Sequence, residues 1–274
     1  MSECKSDCSS CGSDCPSKQD PKDLLKPLNE NSRVGKVIAV VSGKGGVGKS
    51  MVTALLAVIM RRRGYKVGVL DADITGPSAA QAFNIHGNTY QSAFGIEPGE
   101  SQSGIKVMSI NLLLDSETSP VIWRGPVIAG VLTQFWTDVH WGEVDYMFVD
   151  MPPGTGDVPL TVFQSLPVDG VVVVATPQEL VGMIVAKAVK MARMMSKKVV
   201  ALVENMSYFK CPDCGGEHEI FGPSRAAETA EKFLIPLTAR LPVDPQLASI
   251  VDDGAVESFE GAWLDEVADA VEKL

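Results

Sequence analysis

What this chain lacks narrows its identity first. No apolar run reaches the roughly 18–20 residues of a membrane-spanning helix. The polar N-terminal stretch has no signal-peptide core, so a cytoplasmic protein that does not act on a membrane is expected. Positive charge is in deficit: 24 Lys and Arg stand against 34 Asp and Glu, a net charge of −10, which disfavours nucleic acid as a partner. No internal repeat is visible. Cysteine is absent except in two clusters, Cys4, Cys8, Cys11 and Cys15 near the start, and Cys211 and Cys214 far downstream. In a reducing compartment such clustering suggests metal or redox chemistry before disulfides. The 274 residues, 45% hydrophobic and 21% charged, otherwise have the composition of a soluble globular protein.

Residues 1–33 are polar, rich in Ser, Lys, Asp and Pro, and carry no apolar period. They are expected as a flexible, cysteine-bearing arm ahead of one folded domain over 34–274. From Val37 onward, short apolar runs alternate with helical patterns, which indicates a mostly parallel sheet with helices on both faces. Strands are expected at Val37–Val41, Lys66–Leu70, Ile105–Ile110, Tyr146–Val149, Gly170–Ala175, Val199–Val203 and Leu237–Leu241. Helices are expected at Lys49–Arg63, Pro126–Thr137, Val158–Leu166, Glu179–Met195, Arg225–Phe233, Pro245–Ile250 and Ala262–Lys273. Residues 84–104 follow neither period.

Between the first strand and the first helix lies Ser42-Gly43-Lys44-Gly45-Gly46-Val47-Gly48-Lys49-Ser50, which fits the phosphate-loop pattern G-x-x-x-x-G-K-[ST] in its required context. The glycines let backbone N–H groups close around a triphosphate, Lys49 neutralises β/γ oxygens, and Ser50 can ligate Mg²⁺. Lys44 is poorly placed for its own nucleotide but suits one held by a facing subunit.

In open parallel sheets, chemistry gathers beyond the carboxyl ends of the strands. Three aspartates occupy such positions. Asp71 and Asp73 follow the second strand in Asp71-Ala72-Asp73-Ile74-Thr75-Gly76-Pro77-Ser78, and Asp150 opens Asp150-Met151-Pro152-Pro153-Gly154-Thr155-Gly156-Asp157. Asp150 is placed as an outer ligand of Mg²⁺, and Asp73 as the group that orients or deprotonates an attacking water. The competing use of these carboxylates is to cap helices beginning at Ser78 and Val158. Gly154 and Gly156 allow their loop to swing as a γ-phosphate comes or goes.

Together SGKGGVGKS, DADITGPS, the WRGP of Trp123–Pro126 and DMPPGTGD resemble the Mrp (ApbC-type) iron–sulfur carrier ATPases, over about residues 34–274. That family belongs to the deviant phosphate-loop class of MinD, ParA and the nitrogenase iron protein. The resemblance implies an ATP-dependent homodimer in which Lys44 reaches the partner's phosphates and Asp73 serves water activation. It also implies that Asn205 and the segment Pro242–Asp244 frame the adenine. Met51 stands where the family usually has threonine, so a hydroxyl to the α-phosphate is lost while the backbone N–H remains.

Cys211-Pro212-Asp213-Cys214 supplies half of a tetrahedral S₄ site, with no second pair nearby in sequence. A two-fold axis would bring two such pairs together. Four thiolates then suit either Zn²⁺ or an iron–sulfur cluster; the resemblance implies a labile, bridging [4Fe–4S] cluster passed on to apo-protein acceptors. His218 lies close enough to complete a three-ligand site within one chain, although a solvated loop histidine is the plainer reading. The N-terminal spacing C-x₃-C-x₂-C-x₃-C suits a second cluster, zinc, or no stable metal.

Another class of function is a MinD- or ParA-like positioning ATPase with a structural zinc site. It needs a basic amphipathic tail for a membrane, whereas the last helix is acidic, with Trp263, Leu264, Val267 and Val271 forming a core-facing stripe. A nitrogenase-like electron carrier and a GTPase-like switch are further alternatives, the former disfavoured by the single C-x-x-C pair.

Overall fold

A computed structural model describes residues 24–114, 125–180 and 183–274. The described strands are β1 Arg33–Ser42, β2 Val67–Asp71, β3 Gly99–Glu100, β4 Lys106–Met108, β5 Glu143–Asp150, β6 Gly170–Ala175, β7 Lys198–Lys210, β8 Glu217–His218 and β9 Thr238–Pro242. The helices are α1 Lys49–Arg62, α2 Ala79–Ala82, α3 Gly125–Thr137, α4 Asp157–Ser165, α5 Pro177–Leu180, α6 Met183–Met194, α7 Ala226–Lys232, α8 Pro245–Asp252 and α9 Asp265–Glu272. Strands β4, β2, β5, β1, β6, β7 and β9 lie side by side and parallel. Antiparallel β3 closes one edge, and β8 folds back on the far end of β7. The expected architecture is present.

Strand β1 shows how one segment builds two cores. Successive side chains in a strand point to opposite faces. Val37, Ala39 and Val41 enter the apolar cluster covered by α3, α4, α6 and α7, while Ile38 and Val40 enter the one covered by α1, α2, α8 and α9. Burial on both faces is why these strands read as continuous apolar runs. Leu264, just ahead of α9, and Val267 and Val271 within it are buried as the expected stripe requires, while Trp263 is only partly buried against the same core.

The sheet register positions the site. Asp71 at the end of β2 lies opposite Asp150 at the end of β5, and Asp150 lies opposite Val40 of β1. The loop that follows Ser42 therefore opens directly over both carboxylates. Among the described residues, no helix is long and apolar enough to cross a membrane.

Several element boundaries differ from expectation. The strand expected over Val199–Val203 runs on to Lys210, because Glu204, Asn205 and Ser207 interrupt the apolar pattern yet are buried in the sheet. The strand expected to reach Ile110 stops at Met108, and Ile110–Leu113 forms a 3₁₀ turn. The helix expected over Glu179–Met195 is described as α5 and α6. The last part of the expected arm is attached to the domain: the Lys26 N–H donates to Ser165 O (2.9 Å) and Trp136 Nε1 to Lys26 O (3.1 Å). Met194 is exposed, whereas Met191 and Met195 pack on the core.

Candidate functional site

The phosphate loop takes its shape from backbone conformation. Gly46 (φ +79°) and Gly48 (φ +83°) are left-handed, a region side-chain-bearing residues rarely adopt. A Cβ at Gly48 would also collide with Asn205 Nδ2. The Ser42 hydroxyl donates to Lys44 O (2.9 Å). Helix α1 then starts with no side-chain cap and no acidic residue in its first turn. Its first N–H groups and the positive end of its dipole remain available for an anion. Lys44 is exposed at the mouth of the loop and Val47 is buried.

Below the loop, Lys49 donates to Asp150 Oδ1 (2.6 Å), and its Nζ lies 3.3 Å from Ser50 Oγ and 3.9 Å from Asp73 Oδ2. This ion pair is dry, with 6% of the Lys49 side chain and 1% of the Asp150 side chain exposed. Thr53 Oγ1 also donates to Asp150 Oδ1 (3.1 Å). Asp150 Oδ2 is buried without a hydrogen-bond partner. An orphaned carboxylate oxygen, on an aspartate that shares the Lys49 ammonium with the Ser50 hydroxyl, fits a hard, oxygen-seeking divalent cation or its water shell.

Asp71 and Asp73, two residues apart, have separate tasks. Asp71 is buried and accepts from the backbone N–H groups of Asp73 (3.1 Å), Ser78 (3.2 Å) and Ala79 (3.1 Å) and from Ser109 Oγ (3.1 Å). Burial, and then the neighbouring Asp150 carboxylate, push its carboxyl up to about 7. It is Asp71, not Asp73, that caps the turn entering α2. Asp73 makes no such bond: its Oδ1 accepts from Thr75 Oγ1 (3.0 Å) and its Oδ2 faces Lys49. Capping also fails to describe Asp157, which is exposed within the first turn of α4, where no side-chain cap forms.

Asn205 is buried and donates to Val47 O (2.9 Å), while its Oδ1 accepts from Met206 N (2.9 Å). Strand β7 is thereby fastened to the phosphate loop. Met51 packs on the α1-side core and contacts the same Gly48–Asn205 junction. Pro242 ends β9, and Asp244 caps α8 by accepting from Gln246 N (2.8 Å) and Leu247 N (3.3 Å). A cavity of about 640 Å³ separates this segment from the cysteine loop, with Tyr208, Phe209, Cys211, Asp244 and Trp263 in its wall.

Beyond Asn205, β7 carries the chain out to the cysteines. A knuckle closes there: Cys211 N donates to Gly216 O (2.9 Å) and Gly215 N to Cys211 O (2.9 Å), with Gly215 left-handed (φ +71°). Backbone N–H groups of Cys214 and then Asp213 hold the Cys211 thiol below its ordinary range. Strand β8 returns His218 opposite Phe209. The donor atoms of Cys211, Cys214 and His218 all lie within 4.8 Å of one another. Cys4, Cys8, Cys11, Cys15, Trp123 and Arg124 lie outside the described residues.

Sequence reasoning missed a polar chain between the two regions. Fully buried Glu204 contacts the Ser207 hydroxyl and lies 3.6 Å from Arg240 Nε. Arg240 Nη2 continues to Glu219 Oε1 (3.1 Å), and its guanidinium stands over the Tyr208 ring. The available signal was Glu204 itself, a charge inside an apolar run.

Residues 33–274 match the family described as ParA: NUBPL iron-transfer P-loop NTPase. An iron-sulfur cluster carrier protein of Clostridium perfringens is 45% identical over 234 residues, 82% of each chain. One of Methanocaldococcus jannaschii is 42% identical over 264 residues, covering 93% of this chain and 90% of its own. A solved nucleotide-binding protein of Archaeoglobus fulgidus, in complex with ADP and with cobalt found, superposes with a TM-score of 0.78 at 46% identity, covering 85% of this chain and 91% of that one. The cell division ATPase MinD of Pyrococcus furiosus shares the fold, with a TM-score of 0.59 at 19% identity over 87% of this chain and 99% of its own. On this match and these identities, the chain belongs to the NUBPL iron-transfer P-loop NTPase family.

Proposed function

We propose that this protein is a cytoplasmic ATP-hydrolysing carrier that assembles a labile [4Fe–4S] cluster between two copies of itself and delivers it to apo-protein acceptors. The observation that carries this reading is the single strand β7, which touches the phosphate loop through Asn205 and ends at the knuckle of Cys211 and Cys214. A change at one end has a short, rigid route to the other.

In this reading the N–H groups of Gly43–Met51 and the Lys49 ammonium hold the phosphates. Mg²⁺, bound by Ser50 and through water by Asp150, would neutralise charge on the β and γ oxygens. Asp73 orients a water toward the γ-phosphorus and accepts its proton as the bond to ADP breaks. Lys49 must leave its contact with Asp150 to reach the phosphates, which exposes that carboxylate to the cation shell. Lys44 reaches the partner's nucleotide, and Asn205 with Pro242 and Asp244 frames the base. Each chain lends two thiolates to the cargo, since four suit the cluster. Cys4, Cys8, Cys11 and Cys15 are suited to a second cluster. The similarity to proteins named iron-sulfur cluster carriers supports the cargo, and the ADP complex of the Archaeoglobus relative supports the nucleotide.

Anaerobic reconstitution with iron and sulfide, in a background with Cys4, Cys8, Cys11 and Cys15 replaced by serine, tests the reading. Wild-type Cys211 and Cys214 should give about four iron and four sulfide per pair of chains, and Cys211→Ala with Cys214→Ala should give none. A loaded protein that stays strictly monomeric with ATP present would overturn it.

A further inference from the structure

We infer that a single chain, before it meets a partner, holds one divalent transition-metal ion through Cys211, Cys214 and His218. The inference goes beyond the shared cluster and does not depend on it: the same two thiolates serve a mononuclear ion in one chain and the cargo in a pair.

Geometry brings the three donors together without help from a second subunit. The knuckle turns the chain through Gly215, so that both cysteines face one point. The antiparallel return of β8 sets His218 across from Phe209, just before that knuckle begins. Gly216 shows that the imidazole points the same way. A Cβ there would sit 3.4 Å from Cys214 Sγ and 3.7 Å from His218 Nε2, so both atoms lie over the same bare backbone. All three donor atoms fall within 4.8 Å of one another. A tetrahedral ion with M–S near 2.3 Å and M–N near 2.0 Å needs separations of about 3.5–3.8 Å. The donors must close by at most about 1.3 Å to reach that spacing, within the reach of side-chain rotation on an exposed hairpin.

Donor chemistry narrows the occupant. Two thiolates and one imidazole select Zn²⁺, Co²⁺ or Fe²⁺ over Mg²⁺ or Ca²⁺. The carboxylate of nearby Glu219 is engaged by Arg240, its Oε1 lying 3.1 Å from Nη2. Three ligands leave the fourth tetrahedral position open to water. When two chains pair around the cluster, each chain's ion and its imidazole leave the thiolates, the ion passing to solvent, and the four sulfurs go to the cargo with no change in oxidation state of the protein.

Co²⁺ titration tests this under anaerobic, nucleotide-free conditions. The protein is the full chain with Cys4, Cys8, Cys11 and Cys15 replaced by serine, so that the arm cannot contribute thiolates. One cobalt should bind per chain, with tetrahedral ligand-field bands and thiolate-to-cobalt charge transfer, and native mass spectrometry should find it on monomers. His218→Ala should weaken binding by about tenfold or more and shift the ligand-field bands. His218→Cys should restore affinity with the bands of a three-sulfur site. Since His218 is exposed, circular dichroism should be unchanged in both variants. Half a cobalt per chain on dimers, or a His218→Ala variant with wild-type affinity and spectrum, would overturn the inference. The cluster-reconstitution experiment would be unaffected by either result.

Discussion

The phosphate-loop site and the cysteine knuckle share strand β7 but are built to opposite specifications. Around Asn205, Lys49 and Asp150 the side chains are buried, and among them only Asp150 Oδ2 lacks a partner. At Cys211 and Cys214 the backbone is pinned, while Cys214 and His218 are exposed. Groups that act on a phosphoryl transfer gain from low dielectric and preorganisation. Thiolates that must receive and release a cargo gain from access. The contrast lies along one strand: the inner half of β7 is buried in the sheet, and its outer half is a two-stranded hairpin.

Mutations can break this contrast, and Lys49→Ala should do so most severely. It strands Asp150 as an uncompensated buried charge, which typically costs about 3–5 kcal/mol, and it should abolish ATP turnover. Urea unfolding of the nucleotide-free variant measures the first effect, while cobalt binding at Cys211 and Cys214 should persist in the folded fraction. Gly48→Ala comes next. Left-handed strain adds about 1–3 kcal/mol, and the collision with Asn205 should weaken nucleotide binding in a calorimetric titration. Retained affinity would mean that Asn205 does not fasten the loop.

Arg240→Met sharpens the comparison from the other side. It removes the partner between buried Glu204 and Glu219 and should cost about 1–3 kcal/mol. Cobalt affinity at the knuckle should fall more than nucleotide affinity, and the reverse order would show that this chain of charges does not brace the hairpin. A subtler effect concerns pH. Asp71, lifted from 3.8 to about 7 by burial and by Asp150, keeps its proton in the fold where the unfolded chain has lost it. Its contribution to stability is complete below about pH 4 and is lost as pH rises through 7. The destabilisation by Asp71→Asn should therefore be larger near pH 5 than near pH 8 when both are measured by urea unfolding. Least perturbing for the fold should be Cys211→Ser with Cys214→Ser, within about 0.5 kcal/mol, although metal binding at the knuckle disappears.

Legibility followed locality. Gly43–Ser50, Asp71, Asp73 and Asp150 could be read because each lies at a strand end, and parallel strands deliver their ends to one edge. Capping at Ser78 was legible as a competing use of these aspartates, but not that Asp71 performs it, since its partners Ser78, Ala79 and Ser109 gather only when the loop closes. The bond from Asn205 to Val47 spans 158 residues, and that from Thr53 to Asp150 spans 97. No local pattern encodes such pairs. The outer half of β7 was missed for a related reason: Glu204, Asn205 and Ser207 look like loop residues until their buried partners are known.

By itself the sequence determined the parallel sheet, the phosphate loop and the identity of the thiol pair, because apolar period, glycine placement and cysteine spacing are local properties of the chain. Only the tertiary structure decided that Asp71 supports and Asp73 faces the site, that Lys49 rests on Asp150, and that His218 joins the cysteines. Those choices depend on strand register and hairpin return, which bring together residues whose separation along the chain carries no record of their contact.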